Sequence, residues 1–221
     1  MVITIDGPAG AGKSTVARLL AKELGFEYLD TGAMYRAVAL AGLRAGIDFQ
    51  DSNQLAELAR NLRIEFRDNC VFLNGEDITQ ELRTPAVTRL TQFAADNHGV
   101  RQHLIELQRR FALGRNVVTE GRDQGSLVFP DAAWKFYLTA SPEERARRRV
   151  REYQAMGKEA DFQSVLGEIL SRDRKDSERE FGGLVCPPGA LEVNTDGKTV
   201  EQVVGELRSI ITGSKPREFS P

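Results

Sequence analysis

The residues best suited to chemistry lie together near the start of the chain. Gly7-Pro8-Ala9-Gly10-Ala11-Gly12-Lys13-Ser14-Thr15 satisfies the pattern G-x-x-x-x-G-K-[ST] without a gap. Each residue type has a physical reason to be there. Glycine lets the backbone wrap closely around phosphate oxygens, where a side chain would block the approach or forbid the dihedrals. A helix starting at Lys13 points its unpaired N–H groups and the positive end of its dipole at an anion. Lys13 is placed to reach the β- and γ-phosphates, and Ser14 to hold Mg²⁺. A glycine-rich turn that only joins a strand to a helix would not require Lys-Ser at its end. The nine residues from Gly7 to Thr15 therefore predict a bound nucleoside triphosphate.

A second set of candidates is cationic and scattered. Arg36 follows Tyr35 in the first turns of a predicted helix. Arg122 and Asp123 sit in the polar run Glu120-Gly121-Arg122-Asp123 after a predicted strand. Arg145, Arg147, Arg148, Arg149 and Arg151 share one charged helix, and Arg172, Arg174, Lys175, Asp176 and Arg179 share another. The chain has only seven lysines among its 30 basic residues. Arginine's planar fork matches phosphate and carboxylate, so the bias is compatible with several phosphate groups being handled. High genomic GC content would produce the same bias. A net charge of −2 argues against a general nucleic-acid binder. Cys70 and Cys186 are far apart and lack a C-x-x-C pattern, which suits reduced thiols, and with His98 and His103 they make a poor zinc set.

The elements that must position these residues follow an α/β rhythm. Apolar runs at residues 2–6, 26–30, 116–119, 134–139 and 191–194 read as five buried strands, with residues 120–123 as a loop. Helices are expected between them: from Lys13 to a glycine stop at Gly25, from an N-cap at Thr31 onward, from Ser141-Pro142 to near Gly157, from Phe162 to about Arg179, and through Val200 to Ile210. Trp134 is expected in the core. Residues 63–79 break the rhythm with a hairpin turning at Asp68-Asn69, to which 77–79 could add a strand. Helices at about 51–61, 85–95 and 99–113 surround it. A frayed tail is expected over 213–221. The prediction is a five-stranded parallel sheet flanked by helices, with a small antiparallel β insert and a helical lid. Within one domain, the core would take residues 1–35, 115–140 and 185–212, the acceptor-binding region about 36–114, and the lid about 141–182. No apolar run is long enough to span a membrane, and the chain opens directly into a strand. It is expected to carry no signal peptide and to be a cytoplasmic monomer.

The phosphate loop identifies a donor and leaves the acceptor open. A switch GTPase would carry D-x-x-G after the third strand and N-K-x-D as a guanine reader, and neither is found; a molecular motor would need a coupling module. A small-molecule kinase needs a second anion site and a cover that keeps water from the γ-phosphate.

Four stretches then carry a resemblance: the phosphate loop, Asp30-Thr31-Gly32-Ala33-Met34-Tyr35-Arg36, Gly121-Arg122-Asp123-Gln124-Gly125-Ser126-Leu127-Val128-Phe129-Pro130, and Arg172-Asp173-Arg174-Lys175-Asp176-Ser177-Glu178-Arg179. Over about residues 1–212 the chain resembles the bacterial cytidylate kinases, P-loop enzymes of the nucleoside monophosphate kinase group. The resemblance implies transfer of the γ-phosphoryl group of ATP to CMP or dCMP with Mg²⁺. It implies that Arg36, Arg122 and Arg172 hold the acceptor phosphate, and that Thr31, Thr91, Arg101 and Asp123 read cytosine. Asp176 would take the ribose hydroxyls with Arg179 nearby, and Arg148 would close on the transferring phosphates. Thr31 and Thr91 stand where the family often has serine, and Glu120 stands where it often has aspartate; that carboxylate is a candidate to hold magnesium through water. From the residues alone, Asp176 and Arg179 could equally be a surface pair, Arg147 to Arg149 a solvated helix face, and Asp123 a loop residue satisfying backbone donors. Two alternatives remain at this point: another kinase on this fold, acting on UMP, dTMP or a non-nucleotide acceptor, and a non-enzymatic nucleotide-regulated binder.

Overall fold

The computed structural model describes residues 1–67 and 70–213; the expected Asp68-Asn69 turn and the tail beyond Gly213 lie outside the described residues. In chain order the elements are β1 (Val2–Asp6), α1 (Lys13–Leu24), β2 (Glu27–Asp30), α2 (Thr31–Ala45), α3 (Ser52–Arg60), β3 (Ile64–Arg67), β4 (Cys70–Leu73), β5 (Glu76–Asp77), α4 (Pro85–Asp96), α5 (His98–Ala112), β6 (Val117–Gly121), β7 (Trp134–Thr139), α6 (Pro142–Ala155), α7 (Phe162–Glu178), β8 (Leu191–Asn194) and α8 (Val200–Gly213). A 3₁₀ turn covers Glu81–Arg83 and a π-helical turn covers Gln124–Val128. The chain divides into two units, one of Met1–Tyr28 with Gly114–Pro221 and one of Leu29–Leu113.

The first unit is built on the parallel sheet, whose strand order is β2-β6-β1-β7-β8. β1 lies at its centre, pairing Ile3 with Val118 on one side and Ile5 with Phe136 on the other. Strands covered on both faces bury nearly every position, and β1 and β6 do so even at Thr4, Asp6, Thr119 and Glu120. Ile3, Ile5, Val118, Phe136 and Leu138 meet Val16 and Leu20 of α1 and Val203, Val204 and Leu207 of α8 in one core. Trp134 belongs to it, as expected, with its ring stacked on Phe136 at 6.4 Å between centroids. α1 ends in a left-handed Gly25 whose N–H returns to the last helical carbonyls, as the glycine stop predicts. α6 and α7 form a hairpin of their own, packed through Ala146, Val165 and Ile169. Ser141 caps α6, with Pro142 at the first helical position and Glu143 and Glu144 in the first turn.

The second unit packs α2 and α4 against the β3-β4-β5 sheet, with Ala37, Leu40, Val71, Leu73, Ile78 and Val87 in its core. The hairpin is antiparallel, pairing Phe66 with Val71. Three local expectations are corrected. The N-cap of α2 is Asp30 rather than Thr31; its carboxylate accepts the Ala33 N–H, and Thr31 is already helical. A carboxylate satisfies a helix-start donor better than a hydroxyl one residue later, and it also favours the helix dipole. The third strand of the insert is Glu76–Asp77, not 77–79, because Asp77 uses its side chain to bond the Thr79 N–H and hydroxyl and turns the chain away. β6 runs through Gly121, so Glu120 and Gly121 belong to a strand where a loop was expected. Among the described residues no helix is long and apolar enough to cross a membrane, and Cys70 and Cys186 are free thiols.

Candidate active site

The phosphate loop leaves β1 at Gly7 and enters α1 at Gly12. Gly7 has φ 145°, and a Cβ there would overlap the Leu138 carbonyl oxygen of β7. No other residue type could pass this point. Gly12 is left-handed, with φ 86°, and no side chain caps the amides of α1 behind it. Those amides, with the dipole of a 12-residue helix, form the concave donor surface that a phosphate needs.

Lys13 is buried and folds back over the loop, donating from Nζ to the Pro8 carbonyl at 2.7 Å. Burial pushes its amine down to about 7, and the nearby Arg122 and Arg172 guanidiniums act in the same direction against Glu120 and Asp6. Lys13 thus stands among two more cations, Arg122 and Arg172, and two carboxylates, Glu120 and Asp6.

Ser14 Oγ donates to Glu120 Oε1 at 2.9 Å, joining the helix start to the end of β6. A hydroxyl and a carboxylate side by side, next to a phosphate site, are the hard oxygen donors Mg²⁺ takes when substrate phosphates complete its shell. No cluster of three or more His, Cys, Asp or Glu suited to a metal occurs among the described residues. Ser14 and Glu120 are the pair at this site that could hold Mg²⁺.

Beyond β6, Arg122 donates from Nε to Asp176 Oδ2 at 2.8 Å, and Arg179 donates from Nη2 to Asp176 Oδ1 at 2.9 Å. Burial disfavours the charged form of Asp176, but Arg122, Arg179 and Arg172 outweigh it and hold the carboxyl below its ordinary value. The i,i+3 pair of Asp176 and Arg179 is therefore part of a half-buried network with Arg122 and not an isolated surface pair. Asp123 is buried at the mouth of the π-helical turn, with the Gln124 side-chain amide 3.4 Å from its Oδ1. Arg148 is directed to the β8–α8 loop: Nη1 bonds Thr195 Oγ1 at 3.0 Å, Nη2 bonds the Thr195 carbonyl at 2.5 Å, and Nε bonds Glu144. It stands beside Gly12, whose Cβ, if present, would lie 3.9 Å from Nη1.

The second unit carries Thr31, Arg36, Thr91 and Arg101. Arg36 Nη2 bonds both oxygens of Asp30 at 3.2 Å, so the α2 cap also orients this guanidinium. Thr31 is buried in the first turn of the same helix. Arg101 is buried in α5, donates from Nη1 to the Ala95 carbonyl at 3.1 Å, and lies over the Tyr35 ring at 5.5 Å. That contact draws Arg101 and α2 together. Thr91 spends its hydroxyl hydrogen inside its own helix, on the Val87 carbonyl at 2.7 Å.

A model of the cytidylate kinase family matches residues 3–212. The chain belongs to the cytidylate kinase family. It is 53% identical over 207 residues to the cytidylate kinase of Pelotomaculum thermopropionicum, covering 91% of this chain and 92% of that protein. To the cytidylate kinase of Clostridioides difficile it is 46% identical over 211 residues, covering 96% and 98%. As a member of this family the chain is a nucleoside monophosphate kinase. Among solved structures, shikimate kinase from Bacteroides thetaiotaomicron has a TM-score of 0.51 at 13% identity, covering 96% of this chain and 98% of that one, which is a likeness of fold alone.

Two residues that sequence reasoning passed over emerge in this cytidylate kinase family member. Asp6, the last residue of β1, is buried and accepts the amides of Gln124 and Gly125. Arg145, one of five arginines on α6, is buried and bonds the Ala9 carbonyl of the phosphate loop at 3.0 Å, the Ala140 carbonyl at 3.1 Å and Asp173 at 2.6 Å. A polar residue ending an apolar strand is a signal that could have found Asp6. Helix periodicity alone could not separate Arg145 from its neighbours.

Proposed function

We propose that this chain transfers the γ-phosphoryl group of ATP to CMP, and to dCMP, with Mg²⁺. The observation that carries the reading is the site around Lys13, which folds back on the phosphate loop, feels the charges of Arg122 and Arg172, and lies next to the Ser14–Glu120 pair. Phosphoryl transfer needs little covalent help, so positioning and neutralisation of charge on the transferring group supply the rate. The loop amides and Lys13 hold the donor phosphates. Ser14 and Glu120 would hold Mg²⁺, which would supply charge that neutralises the transferring phosphoryl group.

The acceptor phosphate falls to Arg36, Arg122 and Arg172. Two of them are forks already oriented by a carboxylate, Arg36 by Asp30 and Arg122 by Asp176. Cytosine offers an amino donor beside a ring nitrogen and a carbonyl, an edge that Asp123 and Arg101 can read, with the hydroxyls of Thr31 and Thr91 adding to it. Asp176 keeps lone pairs beyond those given to Arg122 and Arg179, and these accept from the ribose hydroxyls. Arg148 reaches the phosphates by exchanging its bonds to Thr195.

A coupled assay of ADP release across CMP, dCMP, UMP, AMP and shikimate tests this. Turnover stimulated by CMP and dCMP is expected. A preference for UMP would overturn the acceptor, and hydrolysis that no acceptor stimulates would overturn the activity.

A further inference from the structure

We propose that Asp6 is a positioning residue for acceptor recognition, fixing Arg122 and Asp123 through the backbone of Gln124 and Gly125. The inference rests on the reading of Arg122 and Asp123 as acceptor contacts.

Asp6 is fully buried at the C-terminal end of the central strand, and its two oxygens face two consecutive amides. Oδ1 accepts from the Gln124 N–H at 2.8 Å and Oδ2 from the Gly125 N–H at 2.7 Å. These amides open the π-helical turn, and the first N–H groups of any helical turn have no partner within it. The turn is pressed onto β1 at that point. A Cβ on Gly125 would lie 2.8 Å from Thr4 Oγ1 and 3.0 Å from the Pro187 ring, so only glycine brings the backbone close enough for both bonds.

The anchor extends to the reading carboxylate. Thr119 Oγ1 donates to Gln124 Oε1 at 3.0 Å, which turns the Gln124 Nε2 toward Asp123 Oδ1 at 3.4 Å. Asp6 holds the Gln124 backbone, Thr119 holds its side chain, and Gln124 orients Asp123, with Arg122 one residue upstream. A carboxylate is needed because two N–H donors need two acceptor oxygens. An amide at position 6 would offer one oxygen and turn its own NH₂ on the other N–H. Burial pushes the Asp6 carboxyl up to about 7, against the two backbone bonds that favour its charge.

The test compares Asp6→Asn with the unaltered enzyme in KM and kcat for CMP and for ATP. Displacing the loop should raise KM for CMP on the order of tenfold to a hundredfold while leaving KM for ATP within about twofold. The preference for CMP over UMP should narrow in the same variant. Equal losses toward both substrates would mean a general scaffold role and overturn the proposal, as would an unchanged KM for CMP. If Asp6→Asn does not fold, Thr119→Val decides, since it keeps the shape and removes only the hydroxyl that orients Gln124. A selective rise in KM for CMP is again expected, and an unchanged value refutes the inference. Failure of the unaltered enzyme to use CMP would instead overturn the proposed function.

Discussion

At pH 8 the binding of ATP should draw protons out of solution, and Lys13 should be the group that takes them. With its amine pushed down to about 7, only about one Lys13 in ten is charged at that pH. The cause is burial, reinforced by Arg122 and Arg172, and a triphosphate reverses the balance by placing several negative charges against the amine. Once the pKa climbs back above about 9, nearly every Lys13 is charged, so binding consumes about 0.8–0.9 proton per site. Asp6, pushed up to about 7, is already about nine-tenths ionised at pH 8 and adds little to the count. Isothermal titration of Mg·ATP, without acceptor, in buffers of different ionisation enthalpy reads this number as the slope of observed heat against buffer enthalpy. Lys13→Arg keeps the cation and stays charged throughout, so its uptake should fall close to zero. A flat slope for the unaltered protein, or equal slopes for the two proteins, would refute the placement of a neutral lysine in the loop.

The same two groups make stability depend on pH. Because the folded value of Lys13 lies below 10.5, the unfolded chain binds more protons between about 7 and 10.5, and Lys13 makes stability rise with pH across that window, by at most about 1.4 kcal/mol per pH unit. Asp6 has a folded value above 3.8, so the folded state binds more protons between 3.8 and about 7, and its contribution falls as pH rises there. Urea midpoints against pH should lose the first slope in Lys13→Met and the second in Asp6→Asn; slopes unchanged by both substitutions would contradict the assignment. In turnover assays Lys13→Ala should lower kcat by at least about a hundredfold, a typical loss of transition-state charge stabilisation, and a mild effect would remove Lys13 from the mechanism. Asp123→Ala should damage CMP use far more than ATP binding, since a base-reading site with unpaired polar groups loses specificity; equal loss for every acceptor would argue against base reading.

The sheet was legible because its strands announce themselves by burial. Val2 to Asp6 and Trp134 to Thr139 are apolar runs between turn signals, and their spacing around helical periods leaves a parallel sheet as the consistent arrangement. The ends of elements were less legible. Thr31 and Asp30 are both good caps, and only the bond to Ala33 distinguishes them. The π-helical turn at Gln124 has no periodic signal of its own: its first amides are satisfied by Asp6, far away in sequence, and the Gln124 side chain by Thr119. The roles of charged residues divide in the same way. Lys13 and Ser14 are placed by a local motif and could be read directly. Arg145 and Arg148 share a helix whose arginines look alike in sequence, and what separates them is the partner across the gap, a phosphate-loop carbonyl for one and Thr195 for the other.

Arg145 also bears on how much change this chain tolerates. Three separate pieces, the Ala9 carbonyl, the Ala140 carbonyl and the Asp173 carboxylate, end on one guanidinium. Among the described residues no other side chain bonds all three of these partners at once. Lysine would preserve the charge but not the fork, so it could not serve all three partners from one point. The α6 surface that carries Arg147 and Arg149 can drift in sequence at little cost, whereas one substitution at position 145 removes the polar tie between the phosphate loop, the chain entering α6 and α7 at a single point.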